Sequence, residues 1–111
     1  MKKILVLLMA VFSITSFACS NATPTDDPGF CGSFKAAATC YCISSGLPSS
    51  ACQDVNQIYD RMIFVFKSVE KACAYQTQTT PQDCMDNWNC YRNGGIDSRG
   101  RLCSGTTLSC R

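Results

Sequence analysis

Cysteine content constrains the fold of this chain more than any other sequence feature, because ten of its 111 residues are cysteine. A short chain so rich in cysteine is typical of a disulfide scaffold made in an oxidising compartment. No two of these cysteines are separated by two residues, so the usual spacing of redox dithiols and zinc ribbons is missing. We therefore expect disulfide bonds, although the sequence does not determine which cysteines pair. We expect no metal site and no cofactor. Apart from Cys19, the disulfide candidates are Cys31, Cys40, Cys42, Cys52, Cys73, Cys84, Cys90, Cys103 and Cys110.

The first 18 residues have the layout of a secretory signal peptide. A basic start, Met1 to Lys3, precedes an apolar run over residues 4–12 and a stretch of mostly small residues that ends at Ala18. The apolar run is shorter than the ~20 residues that a membrane-spanning helix needs. The sequence therefore predicts a signal peptide over residues 1–18 and an exported mature chain.

The charge of the exported chain is balanced. The full sequence has ten Lys and Arg against eight Asp and Glu, and loss of Lys2 and Lys3 with the signal peptide leaves eight of each sign. A formally neutral chain is not expected to bind nucleic acid. The sequence also has no histidine, which excludes a histidine general base, a histidine-activated nucleophile and a histidine metal ligand.

Residues around the predicted cleavage site are compatible with two kinds of signal-peptide processing. Small residues at Ser16 and Ala18 suit a signal peptidase that would release a soluble secreted or periplasmic protein beginning at Cys19. The run Ser16 to Cys19 is also similar to a bacterial lipobox, in which Cys19 would carry lipid and anchor the protein to the outer membrane. The polar residues 19–29 would then form an extended linker or tether. Lipidation would leave nine cysteines for pairing, and hence a free thiol or a disulfide-linked dimer.

Residues 30–111 are predicted to form one disulfide-stapled helical domain. A first helix is expected from Ser33 to Ser44, where a run of alanines favours helix over strand. A second is expected over residues 51–75, because apolar residues recur there at intervals of three and four. A third begins at Thr80-Pro81 and ends before Gly94. The fold class predicted is mainly α: a small disulfide-rich domain of about three helices with a cross-linked irregular C-terminal tail.

Two classes of function fit these features. The first is a noncatalytic binding or interaction protein of the bacterial envelope, or secreted from it, with a protein partner. The alternative is a small secreted enzyme that uses carboxylates without histidine, for which Asp83, Asp86 and Glu70 are the candidates. Acidic residues are also favoured in the first turn of a helix, which is the plainer explanation of Asp83 and Asp86.

Two stretches are candidate interaction surfaces. The run from Met62 to Phe66 is apolar on every side of the second helix, so it is either wrapped by the domain or partly available to a partner. The second stretch combines tryptophan, tyrosine and arginine, which dominate protein interfaces, although aromatic residues at helical spacing also suit a core. The predicted interaction residues are Met62, Ile63, Phe64, Trp88, Tyr91 and Arg92.

Overall fold

The computed structural model describes residues 19–110, so the predicted signal peptide over residues 1–18 lies outside the described residues, as does Arg111. Its four α-helices are α1 (Phe30–Ser44), α2 (Val55–Phe66), α3 (Val69–Tyr75) and α4 (Pro81–Asn93). Short 3-10 turns follow α1 at Ser49–Cys52 and α4 at Cys103–Gly105. The described part of the chain contains no β-strand and no helix that is long and apolar enough to cross a bilayer.

Five disulfide bonds hold these elements together. The pairs are Cys19–Cys40, Cys31–Cys110, Cys42–Cys52, Cys73–Cys84 and Cys90–Cys103. No cysteine between residues 19 and 110 is left free. Two of the bonds tie the C-terminal tail to α1 and to α4. The prediction of a mainly helical, disulfide-rich domain with a cross-linked tail is therefore confirmed.

Aromatic side chains of α1 and α4 form the centre of the core. Phe30 and Phe34 are 0% and 5% exposed, and Trp88 and Tyr91 are 7% and 8% exposed. The Phe34 ring meets the Trp88 ring nearly edge-on, with the ring centroids 4.8 Å apart, which is a favourable arrangement for two aromatic rings. The structure therefore places Trp88 and Tyr91 in the core rather than on the predicted interaction surface, because the side of α4 that carries them packs against α1.

The predicted second helix, residues 51–75, is divided into α2 and α3. The carboxylate of Asp54 caps the start of α2. Lys67 ends α2 in a left-handed backbone conformation with φ of 76°, and the Ser68 hydroxyl then accepts a hydrogen bond from the Lys71 amide to cap α3. The apolar spacing does not reveal this break, because α2 and α3 both pack apolar residues against the same core.

Lys67→Gly is expected to raise the free energy of unfolding by about 0.5 kcal/mol, because glycine adopts this left-handed conformation without steric strain. Urea unfolding of the oxidised protein measures the change. Lys71→Gly is the matched control, since Lys71 lies inside α3, where glycine should cost about 0.5–1 kcal/mol. Equal destabilisation by both substitutions would contradict the assigned end of α2.

Residues 19–29 are packed against the domain, in contrast to the predicted extended tether. Thr25 is 1% exposed, and its hydroxyl donates a hydrogen bond to the buried carboxylate of Asp97 in the tail. The amide of Thr23 donates to the Ser33 hydroxyl at 2.8 Å, so Ser33 holds this segment from within α1, which begins at Phe30 rather than at the predicted Ser33. Two of the polar side chains that suggested a solvated linker instead bond to distant parts of the chain, Thr25 to Asp97 and Asn21 to the hydroxyl of Tyr41.

Candidate functional site

Large apolar side chains are exposed near the C-terminal ends of α2 and α3. Phe64, Val65 and Tyr75 are 77%, 59% and 76% exposed. Phe66 is half-buried, and its ring packs on the Tyr75 ring with centroids 5.1 Å apart. We call Phe64, Val65, Phe66 and Tyr75 the apolar tip. Single exposed apolar residues are ordinary, whereas a cluster of them is typical of an interaction site.

The sequence of α2 explains why the apolar tip is exposed. The helix is apolar on every side from Met62 to Phe66, and only one side of a surface helix can face a core. Met62 packs against the core and Ile63 is half-buried, whereas Phe64 and Val65 stay exposed. Of the predicted residues in this run, Phe64 is therefore the one whose side chain is most available to a partner.

Cations outnumber anions beside Phe64 at the apolar tip. The Lys67 ammonium donates a hydrogen bond to the Phe64 carbonyl at 3.0 Å and lies 5.2 Å from the centre of the Phe64 ring. Asp60 and Arg61 line a shallow depression together with Phe64, so the charged side chains placed beside this residue are two cations and one anion. The tip therefore combines exposed apolar area with a mainly cationic border.

The second predicted surface contributes to internal packing. Besides the buried Trp88 and Tyr91, Arg92 is half-buried and its guanidinium carbon lies 3.8 Å from the centre of the Tyr59 ring. One terminal nitrogen of Arg92 also donates to the Asn56 side-chain carbonyl at 3.2 Å. Arg92 thereby links α4 to α2 through a cation–π contact and a hydrogen bond.

Two of the three carboxylates considered for the enzyme alternative lie on α4 and bind partners in the C-terminal tail. Asp83 accepts from Arg99 at 2.6 Å. Asp86 is 3% exposed and accepts from the backbone amide and hydroxyl of Ser98 at 3.1 and 2.7 Å. Glu70 is exposed in the first turn of α3. Both α4 carboxylates hold the tail, and no contact among residues 19–110 joins them to Glu70, so the enzyme alternative stays a prediction without an assembled site.

Asp97 is the charged residue that the sequence analysis missed. Its carboxylate is fully buried and accepts hydrogen bonds from Thr25, the Arg99 amide, and the amide and Nε of Arg101. Burial acts to raise the pKa of Asp97, but these hydrogen bonds favour the charged form more strongly and lower the pKa to about 2. A lone acidic residue in an arginine-rich tail is the sequence signal that could have identified it.

Cys19 forms a disulfide bond with Cys40 in the described structure. A sulfur atom held in a disulfide cannot also carry the thioether of a lipid anchor, so the two fates of Cys19 exclude each other. With Cys19 paired, all ten cysteines are used within one chain, and no thiol remains for an intermolecular bond. Among residues 19–110 no group of His, Cys, Asp and Glu side chains is arranged to hold a metal ion.

Comparison with protein-family models, with curated proteins and with solved structures gives no match to this chain. What defines the protein is therefore its own architecture: a helical domain cross-linked by five disulfide bonds. Such cross-linking is typical of a protein from an extracellular or other oxidising compartment. Of the predicted interaction residues, Phe64 is a large apolar residue that the structure leaves exposed.

Proposed function

We propose that this chain is an exported, noncatalytic binding protein that uses the apolar tip to bind a protein partner. The single observation that carries the proposal is the exposure of Phe64, Val65 and Tyr75 at the ends of two consecutive helices on a disulfide-linked scaffold. Leaving such side chains in water gains nothing for folding, whereas burying one of them in a partner contributes about 1.5–3 kcal/mol. A rigid scaffold also reduces the entropy lost on binding.

The border of the tip indicates the chemistry of the partner. Arg61 and Lys67 outnumber Asp60 around the exposed aromatic ring of Phe64, so a complementary surface has an apolar pocket with acidic residues at its rim. The tip consists of four side chains, fewer than the about 20–30 residues that each side of a stable interface supplies. We therefore expect a transient complex in which Phe64 is the central anchor.

Two features support export of the protein as a soluble molecule. Residues 1–18 have the layout of a signal peptide, and five disulfide bonds require an oxidising compartment. The pairing of Cys19 with Cys40 favours cleavage after Ala18 by a signal peptidase over lipidation of Cys19. We propose a secreted or periplasmic location on these grounds.

Phe64 should be the point of contact with the partner, and site-specific photo-crosslinking tests this. Phe64 is replaced by a photoreactive phenylalanine analogue in the native host, and the control carries the same analogue at Lys35, an exposed residue of α1. The expected result is one protein adduct, specific to position 64, whose cross-linked peptide contains both apolar and acidic residues. The adduct protein is then purified and its affinity for the unmodified chain is measured.

Phe64→Ser should weaken that affinity about 10- to 100-fold, the equivalent of about 1.5–3 kcal/mol of lost apolar burial. The free energy of unfolding should change by no more than about 0.5 kcal/mol, because Phe64 is exposed. Lys35→Ser is the matched control and should leave the affinity unchanged. Cross-links from position 64 to lipid, adducts shared with position 35, or an unchanged affinity of Phe64→Ser would each overturn the proposal.

A further inference from the structure

The five disulfide bonds differ in how far their cysteines are buried. Both cysteines are buried in each of the bonds Cys42–Cys52, Cys73–Cys84 and Cys90–Cys103. The cysteines of Cys19–Cys40 and Cys31–Cys110 are half-buried instead. Thiol–disulfide exchange requires that a thiolate reaches one of the sulfur atoms. The two half-buried bonds are therefore the ones that a reductant reaches without unfolding the domain.

Ser104 distinguishes the Cys31–Cys110 bond from the other half-buried bond. The Ser104 hydroxyl oxygen lies 3.2 Å from Cys31 Sγ and 3.8 Å from Cys110 Sγ. Neither sulfur atom carries a hydrogen while the bond is intact, so the hydroxyl is the donor in both contacts. Within residues 19–110 these are the contacts that a hydroxyl makes with a disulfide sulfur. The Cys31–Cys110 bond is therefore both accessible and hydrogen-bonded.

The backbone fixes the position of the Ser104 hydroxyl. Ser104 has left-handed dihedral angles, with φ of 55° and ψ of 28°, and a residue other than glycine adopts this conformation at a cost. Its amide donates a hydrogen bond to the Thr25 carbonyl. The Cys110 amide donates to the Tyr91 carbonyl at 2.9 Å, which places the sulfur atom beside the hydroxyl. The surrounding contacts thus hold Ser104 at the bond despite this conformation.

A hydroxyl that donates to a sulfur atom assists the departure of that atom as a thiolate. When a thiolate attacks one sulfur of a disulfide, the other sulfur leaves with the bonding electrons and a negative charge. A hydrogen bond to a charged acceptor is stronger than one to a neutral acceptor, so the Ser104 hydroxyl stabilises the departing thiolate. Cys31 Sγ is the nearer sulfur, and attack at Cys110 with departure of Cys31 is the favoured direction.

We propose that the Cys31–Cys110 bond is a redox-sensitive latch, which a thiol reductant opens before the other four disulfide bonds. A reductant thiolate forms a bond to Cys110 Sγ, the bond between the two cysteines breaks, and Cys31 leaves as a thiolate that takes up a proton. A second reductant thiolate attacks the reductant sulfur of the mixed disulfide, which releases Cys110 as a thiolate that is also protonated. The latch gains two electrons and two protons, and two reductant thiols become one disulfide.

Opening the latch would release the end of the C-terminal tail. The bond joins residues 79 positions apart, the largest separation among the five, and links the tail to α1. Cys90–Cys103 would still hold the tail at Cys103, so the released stretch is residues 104–110. Cys110 packs against the aromatic core, and its departure would uncover part of that core. This device does not involve the apolar tip, so its test is independent of the proposed protein partner.

The test is stepwise reduction of the oxidised protein with reduced glutathione, followed by alkylation and peptide mapping. We expect Cys31–Cys110 to open first, about fivefold faster than Cys19–Cys40, the equivalent of one hydrogen bond of about 1 kcal/mol. Any glutathione trapped at the latch should be attached to Cys110. Earlier opening of another bond, simultaneous opening of all five, or glutathione attached to Cys31 would overturn the proposal.

Ser104→Gly separates the effect of the hydroxyl from that of accessibility. Glycine adopts the left-handed conformation without strain and removes the hydroxyl, so opening of the latch should slow about fivefold. Ser104→Ala also lacks the hydroxyl and should slow opening likewise. Ser109→Gly, at an exposed position of the same tail, is the matched control and should leave the rate unchanged. An unchanged or faster opening in either Ser104 variant would contradict the role of the hydroxyl.

Discussion

Replacing Cys90 and Cys103 together by alanine is expected to lower the free energy of unfolding by about 2–5 kcal/mol. Both cysteines are 0% exposed, and their bond joins α4 to the C-terminal tail. The substitution therefore removes a covalent constraint and leaves buried space where the two sulfur atoms were. Small domains of this size depend on such cross-links, because their cores alone contribute little net stability. Urea unfolding followed by circular dichroism measures the loss.

The double variant Cys19→Ala, Cys40→Ala is the matched comparison for this prediction. Cys19 and Cys40 are half-buried, and their bond spans 21 residues, against 13 for Cys90 and Cys103. The entropy of loop closure alone would make the longer loop the more stabilising one. We expect the Cys90–Cys103 bond to contribute more to stability than the Cys19–Cys40 bond. The reason is that removing the fully buried Cys90–Cys103 sulfur atoms also costs packing in the core. A larger loss from the Cys19–Cys40 pair would contradict the account of the core.

Asp97→Ala is expected to cost about 3–5 kcal/mol, which is typical of breaking a buried, hydrogen-bonded ion pair. The substitution removes the acceptor for Thr25, for the backbone amides of Arg99 and Arg101, and for the Arg101 side chain. The N-terminal segment and the tail would then lose their shared anchor. Asp26→Ala is the control, since Asp26 is an exposed acid of the same segment and should change stability by no more than about 0.5 kcal/mol.

The same carboxylate predicts a dependence of stability on pH. The folded-state pKa of Asp97 is lowered from 3.8 to about 2, so the unfolded chain binds a proton more readily than the folded one. The resulting stabilisation, about 2 kcal/mol, is fully present above the unfolded pKa and is lost as the pH falls through the folded pKa. Asp97→Asn should abolish the fall in the free energy of unfolding that protonation of this carboxylate causes between about pH 5 and pH 2. An unchanged pH profile in the variant would contradict the role of Asp97.

The fold class was predictable because its causes are local. Cysteine content and the intervals between apolar residues indicate a disulfide-linked helical domain, and Thr80 followed by Pro81 correctly predicts the start of α4. The break at Lys67 escaped prediction because the apolar interval continues across it. The packing of residues 19–29 against the domain was not predicted for another reason. Thr25 and Asp97 are 72 positions apart, and no local sequence pattern indicates that they are in contact.

The candidate site was predictable only in part. The run of α2 that is apolar on every side explains the exposure of Phe64, since such a helix leaves some apolar residues exposed unless other elements cover them. Trp88 and Tyr91 have the composition of an interface, but the direction in which α4 faces depends on packing against Phe34.

We expect an exported domain in which every cysteine, including Cys19, is paired within one chain. Intact mass spectrometry of the protein from its native host, with alkylation before and after reduction, tests this directly. We predict an unmodified monomer that begins at Cys19 and has ten alkylatable thiols, all of which appear only after reduction. An acylated Cys19, a thiol that reacts before reduction or a disulfide-linked dimer would contradict the account.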